Sequence, residues 1–116
     1  MKKDITRDYA VAAFRKYAAL GEPDEDSARA YSPPALAADI LAARSCLTEL
    51  EKVNPTAASA IRAVYMYSPT RPLSKRIITI RVLRFAAENY ISERTVYSAL
   101  ASARRLFAVK RGLYTG

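Results

Sequence analysis

The residues best placed to do chemistry lie in one run, Ser92-Glu93-Arg94-Thr95-Val96-Tyr97-Ser98. It offers hydroxyls, one guanidinium and one phenol within seven residues, and that set suits recognition better than catalysis. An arginine fork can grip the edge of guanine through two parallel hydrogen bonds. Short hydroxyl side chains and backbone N–H groups at a helix start can hold phosphate oxygens. Arg94 is therefore a candidate base reader, with a solvated arginine as the plain alternative. Ser92 and Thr95 are candidate phosphate contacts, although Thr95 has a second use in completing the helix start. Tyr97 and Ser98 lie one turn along, where Tyr97 serves either contact or packing. Arg81 and Arg84 upstream suit phosphate anchoring, and Arg104, Arg105, Lys110 and Arg111 extend positive charge downstream.

The charge distribution points the same way. Residues 1–68 hold 9 basic and 9 acidic side chains, a net of zero, whereas residues 69–116 hold 10 basic against 2 acidic, a net of +8. The entire excess of the chain, whose pI is near 9.9, thus falls in its last part. Such asymmetry is the footprint of a polyanion-binding half, and solubility charge on solvated helix faces is the competing reading. Membrane-surface binding is disfavoured, because the basic residues are spread over two segments with a turn between them.

Other chemistry is excluded or weakly supported. The chain has no His, so a Ser-His-Asp site and a His metal site are ruled out. Its lone Cys46 cannot make an internal disulfide or a thiolate cage and reads as a small packing residue. No glycine-rich phosphate loop is present. Glu22-Pro23-Asp24-Glu25-Asp26 lacks calcium-loop periodicity and reads as a solvated turn. Glu93 complements a helix dipole, and nothing places it in a cleft with Glu88. The reading is a non-enzymatic protein without metal or cofactor. No apolar run reaches the ~20 residues of a membrane span, and Met1-Lys2-Lys3-Asp4 does not lead into a signal-peptide core, so a cytoplasmic location is expected.

The elements that would hold these residues are helices. The apolar fraction of 51% supports a core, and with only 3 Gly a turn-rich β fold is disfavoured. The spacing predicts an all-α chain of about five helices. Asp4 or Thr6 caps the first, which carries Tyr9, Ala13, Phe14 and Tyr17 on one stripe and stops at Gly21. Residues 22–31 read as an irregular acidic loop. Ser32-Pro33 starts a second helix to about Val53, and Asn54-Pro55 a third to about Tyr67. Pro69 and Pro72 break the chain, and the β-branched run Ile77–Ile80 enters a fourth helix ending near Asn89. Ile91 plugs a short turn, Ser92 caps a last helix over 93–111, and Val96, Leu100, Ala103 and Phe107 make its buried stripe. Two parts emerge, 1–67 as a dimerisation or partner element and 76–112 as a helix-turn-helix, joined in one compact unit.

The segment Phe85–Val96 resembles the helix-turn-helix of region four of bacterial sigma factors, and more closely the small ArpU-like phage regulators of Firmicutes. Phe85-Ala86, Ile91-Ser92, the helix opening Ser92–Tyr97 and the later Ala103-Arg104-Arg105-Leu106-Phe107-Ala108 carry the resemblance, over residues 82–112. Two departures stand out: Asn89-Tyr90 replaces the usual Leu-Gly, and the loop at 68–80 is longer. The resemblance implies a transcription regulator that binds double-stranded DNA, with RNA polymerase as a further partner, while the neutral charge and apolar residues of the N-terminal part suggest a second copy of the chain as another. The alternatives are a small DNA-packaging subunit and a helical protein-interaction module that binds no DNA.

Overall fold

A computed structural model describes residues 4–113 of the chain. Every regular element among the described residues is helical: α1 (Ile5–Ala19), α2 (Glu25–Arg29), α3 (Pro34–Val53), α4 (Pro55–Ile61), α5 (Lys75–Asn89) and α6 (Glu93–Arg111). A π-helical turn, Arg62–Met66, runs on from α4. The all-α expectation holds, with six α-helices instead of about five.

The additional helix, α2, lies in the stretch read as irregular. The Asp24 carboxylate accepts the Ser27 N–H at 2.8 Å, and Glu25 and Asp26 occupy the first turn, where the helix dipole favours negative charge. Arg29 closes the far end on Glu25 (2.5 Å) and Asp26 (3.7 Å). Ala28 is its one buried residue, so no apolar period advertised the helix.

Most helix starts follow the side chains expected of them. Asp4, not Thr6, caps α1 by accepting the Arg7 N–H at 2.8 Å. Asn54 caps α4 through the Ala57 N–H at 3.2 Å. The start of α3 differs: Pro33 itself holds the cap position and Pro34 follows inside, so Ser32 lies outside and no side chain caps the helix. α5 begins two residues before Ile77, because Ser74 accepts the Ile77 N–H at 3.2 Å.

Three helix ends share one wiring, in which the residue past the end is left-handed and the next N–H reaches back five residues. Gly21, Tyr90 and Gly112 take that position, with φ of 81°, 56° and 78°. The returning bonds are Glu22 N–H to Tyr17 O (3.0 Å), Ile91 N–H to Ala86 O (3.1 Å) and Leu113 N–H to Ala108 O (2.9 Å).

α6 is the centre of the molecule and packs on α1, α3, α4 and α5. The anticipated stripe of Val96, Leu100, Ala103 and Phe107 is fully buried, joined by Ala99 and Ala108. Phe107 meets Phe14 at a ring separation of 5.5 Å and Tyr9 at 6.2 Å, which ties α1 to α6. Small residues let the backbones close up: Ala42, Ala43 and Cys46 on α3, and Ala57, Ala58 and Ala60 on α4. The Cys46 thiol donates to the Ala103 carbonyl at 3.5 Å, sealing α3 against α6. One apolar cluster runs through α1, α3, α4, α5 and α6, so the two sequence halves share a core.

Burial pushes the Cys46 thiol from an ordinary 9.0 up to about 12. Between those values the unfolded chain has lost this proton and the folded chain has kept it, so stability falls as pH rises through the window. Denaturant unfolding at a series of pH values from 8 upward should show wild type losing stability more steeply than Cys46→Ala, by up to about 1.4 kcal/mol per pH unit. Burial also raises Tyr17 and Tyr65, so the variant keeps a residual slope. Parallel slopes would show that the thiol is open to solvent.

Candidate nucleic-acid interface

α5 and α6 are joined by a three-residue turn, Tyr90-Ile91-Ser92. α5 buries Val82, Phe85 and Ala86, and the first turns of α6 bury Val96, Ala99 and Leu100. Ile91 is half-buried against the same core, as its position inside the turn required. Ser92 caps α6 by accepting the Thr95 N–H at 3.0 Å, and the Ser92 and Thr95 hydroxyls lie 2.9 Å apart. The two hydroxyls therefore serve the helix start first. Tyr90 keeps the left-handed geometry that glycine ordinarily supplies, at a steric cost of about 1–2 kcal/mol for a residue with a Cβ. Its side chain is 95% exposed, so no packing of the ring offsets that cost.

The expected contact residues divide into two groups. Arg94, Thr95, Tyr97 and Ser98 are exposed on the first two turns of α6. Arg84 on α5 and Arg105 further along α6 are exposed as well. Neither Arg84 nor Arg94 has an ion pair or side-chain hydrogen bond among the described residues, while Arg105 touches only Ser102 (3.2 Å). Arg81 and Arg104 turn toward the π-helical turn instead. Arg81 donates to the Val64 carbonyl at 2.9 Å and lies 5.4 Å from the centre of the Tyr67 ring. Arg104 donates to the Tyr65 hydroxyl at 2.8 Å.

Arg15, on α1, carries no local signal of its role. It donates to the Tyr65 carbonyl at 3.1 Å and to the Arg71 carbonyl, so α1 holds both the π-helical turn and the loop after it. The last carbonyls of a helical segment, here those before Tyr67, have no partner within it. Arg15 and Arg81 supply partners, one from each side in sequence. Burial, with the nearby Arg81 charge, lowers the Arg15 pKa.

Ion pairing concentrates the charge asymmetry. Arg62 bridges Glu22 (2.7 Å) and Glu51 (3.1 Å). Lys110 reaches Glu49 (2.8 Å) and Arg111 reaches Asp39 (2.7 Å), so these two bind α6 to α3 and do not extend an open positive field. Asp39 also accepts from the Tyr9 hydroxyl, and this hydrogen bond raises the Tyr9 pKa. The other eight basic residues after Ser68 have no carboxylate within ion-pair distance among the described residues. The acids near them in sequence are Glu88 and Glu93 alone.

No helix among the described residues is long and apolar enough to cross a membrane. In comparisons with protein-family models, curated proteins and solved structures, nothing matches this chain.

The two groups of arginines should separate by their effect on stability. Arg81→Ala removes a charged hydrogen bond to a half-buried carbonyl and should lower unfolding free energy by about 1.5–3 kcal/mol. Arg84→Ala and Arg94→Ala should stay within about 0.5 kcal/mol of wild type. Denaturant melts of the three variants check this, and equal losses in all three would refute the division.

Proposed function

We propose that the chain binds double-stranded DNA as a sequence-specific transcription regulator of phage or prophage type. Its α5–turn–α6 unit would act as a helix-turn-helix, and it works by equilibrium binding without catalysis. The observation that carries this reading is Arg94: an exposed guanidinium with no partner among the described residues, on the first turn of a helix whose other side is buried in the core. The N-terminal residues of a recognition helix are the ones that meet base edges. Arg94 takes the role of base reader, with Tyr97 and Ser98 one turn along. Arg84 and Arg105 sit to either side in sequence and anchor phosphates, which position the protein without specifying sequence. Ser92 and Thr95 offer a capped helix N-terminus to a phosphate, and their hydroxyls can still accept or share a further bond. A two-fold dimer would read a palindrome with half-sites one or more helical turns apart, and RNA polymerase is the further partner that the sigma-like resemblance suggests.

A protein-interaction module is the second reading. The exposure of Ile80 and Leu83, each 46%, on the outer face of α5 favours it.

Selection from a random duplex pool distinguishes the two. Wild type should enrich one motif, and Arg94→Ala should lose about 1–3 kcal/mol of discrimination at a single base position. The logarithm of affinity should fall with the logarithm of salt by about 0.9 per phosphate contact, and Arg84→Ala should reduce that slope. No binding at low salt would remove DNA from the account and leave the α5 face as the working surface.

A further inference from the structure

A groove of about 940 Å³ opens between α1, the loop at Thr70–Leu73, the start of α5 and the side of α6. Five cations line it: Arg7, Arg15, Arg71, Lys75 and Arg104. Asp8 is the single carboxylate in its wall, and Arg7 lies 3.8 Å from it. The groove is therefore strongly positive, and it meets the exposed Arg94 face only at Tyr97. Its remaining wall is mixed, with Val11, Leu73 and Ile78 giving apolar surface and Tyr97 an aromatic edge. A concave site of a few hundred to ~1,000 Å³ with an apolar wall and converging polar groups is the usual form of a small-molecule pocket.

The cations are held in place by bonds that leave their charge uncancelled. Arg15 is fixed on the Tyr65 and Arg71 carbonyls, and Arg104 on the Tyr65 hydroxyl. Neutral oxygens hold a guanidinium without neutralising it. Like charges gathered in this way repel, and a bound dianion relieves the repulsion. Arginine forks match phosphate oxygens in geometry as well as charge.

We propose that this groove is a binding site for a small phosphate monoester carrying an apolar or aromatic body. The phosphate would sit among Arg15, Arg71, Lys75 and Arg104, with the body against Leu73, Ile78 and Tyr97. A duplex is too broad to enter so small a concavity, so this ligand is separate from the proposed DNA. The site also stands without the DNA reading.

Titration calorimetry with phenyl phosphate, on the full chain and without DNA, tests it. Saturable binding with a Kd of about 1 mM or tighter is expected. Inorganic phosphate should bind more weakly because it lacks the apolar body, and benzoate because it carries one charge. Arg71→Glu and Lys75→Glu should each weaken phenyl phosphate about tenfold or more, the equivalent of one carboxylate placed against a dianion. Lys52→Glu carries the same change in net charge at an exposed position outside the groove and should stay within about twofold of wild type. Arg71 and Lys75 are exposed, and circular dichroism verifies that either variant stays folded. Three results would overturn the proposal: no saturation by phenyl phosphate, an equal loss in Lys52→Glu, or tighter binding of benzoate.

Discussion

Everything in this molecule depends on α6 being buried along one side and open at its start. Phe107, Ala103, Leu100 and Val96 form the spine on which α1, α3, α4 and α5 pack. Fully burying side chains of this size is worth about 1.5–3 kcal/mol each for the larger ones. The alanines and Cys46 opposite them bring the helices close enough for a thiol to reach a helix carbonyl. A helix so enclosed cannot swing or slide independently. Its first two turns, where Arg94, Thr95, Tyr97 and Ser98 stand exposed, are held by the core behind them. That rigidity is what an interface needs, since a guanidinium aimed at a base edge loses less entropy when its backbone is already fixed.

The same economy governs the charges. Surface ion pairs contribute little to stability, typically below about 1 kcal/mol each. Their larger effect here is on where charge is left over. Glu22, Asp39, Glu49 and Glu51 engage Arg62, Lys110 and Arg111, and those pairs stitch the helices together. The arginines on α5 and the early part of α6 are left facing solvent or neutral oxygens. The π-helical turn sharpens this division, because its last carbonyls draw Arg15 and Arg81 inward without discharging them.

Much of this was legible in the sequence, for physical reasons that differ by element. The buried stripe of α6 could be read because four large or small apolar residues recur at helical spacing with a serine cap before them. Gly21 and Asn54 announced their turns because each residue type has one dominant use in such a place. α2 was hidden, since a five-residue helix held by a cap and two ion pairs needs no apolar period. Ser32 is passed over at the start of α3 because two consecutive prolines allow either one to lead, and Pro33 takes the cap position. Tyr90 marked a departure from the usual turn, and the backbone resolves it by keeping the left-handed geometry with a tyrosine. At the candidate interface, the exposure of Arg94 follows from the stripe opposite it, so periodicity alone placed it. Arg81 and Arg104 could not be separated from Arg84 and Arg105 in this way, because their partners, Val64 O and the Tyr65 hydroxyl, belong to another element. The Arg15 clamp spans 50 residues in sequence and left no local trace.

The proposed function makes one helix both core and interface, with its open N-terminal turns as the working surface. Amide chemical-shift mapping on isotopically labelled protein, titrated with duplex DNA at low salt, tests it most directly. The account predicts the largest shifts at Ser92–Ser98 and around Arg84, with little change along α2 and the outer face of α3. Shifts confined to Ile80 and Leu83, or to the acidic α2–α3 side, or none at all, would contradict it.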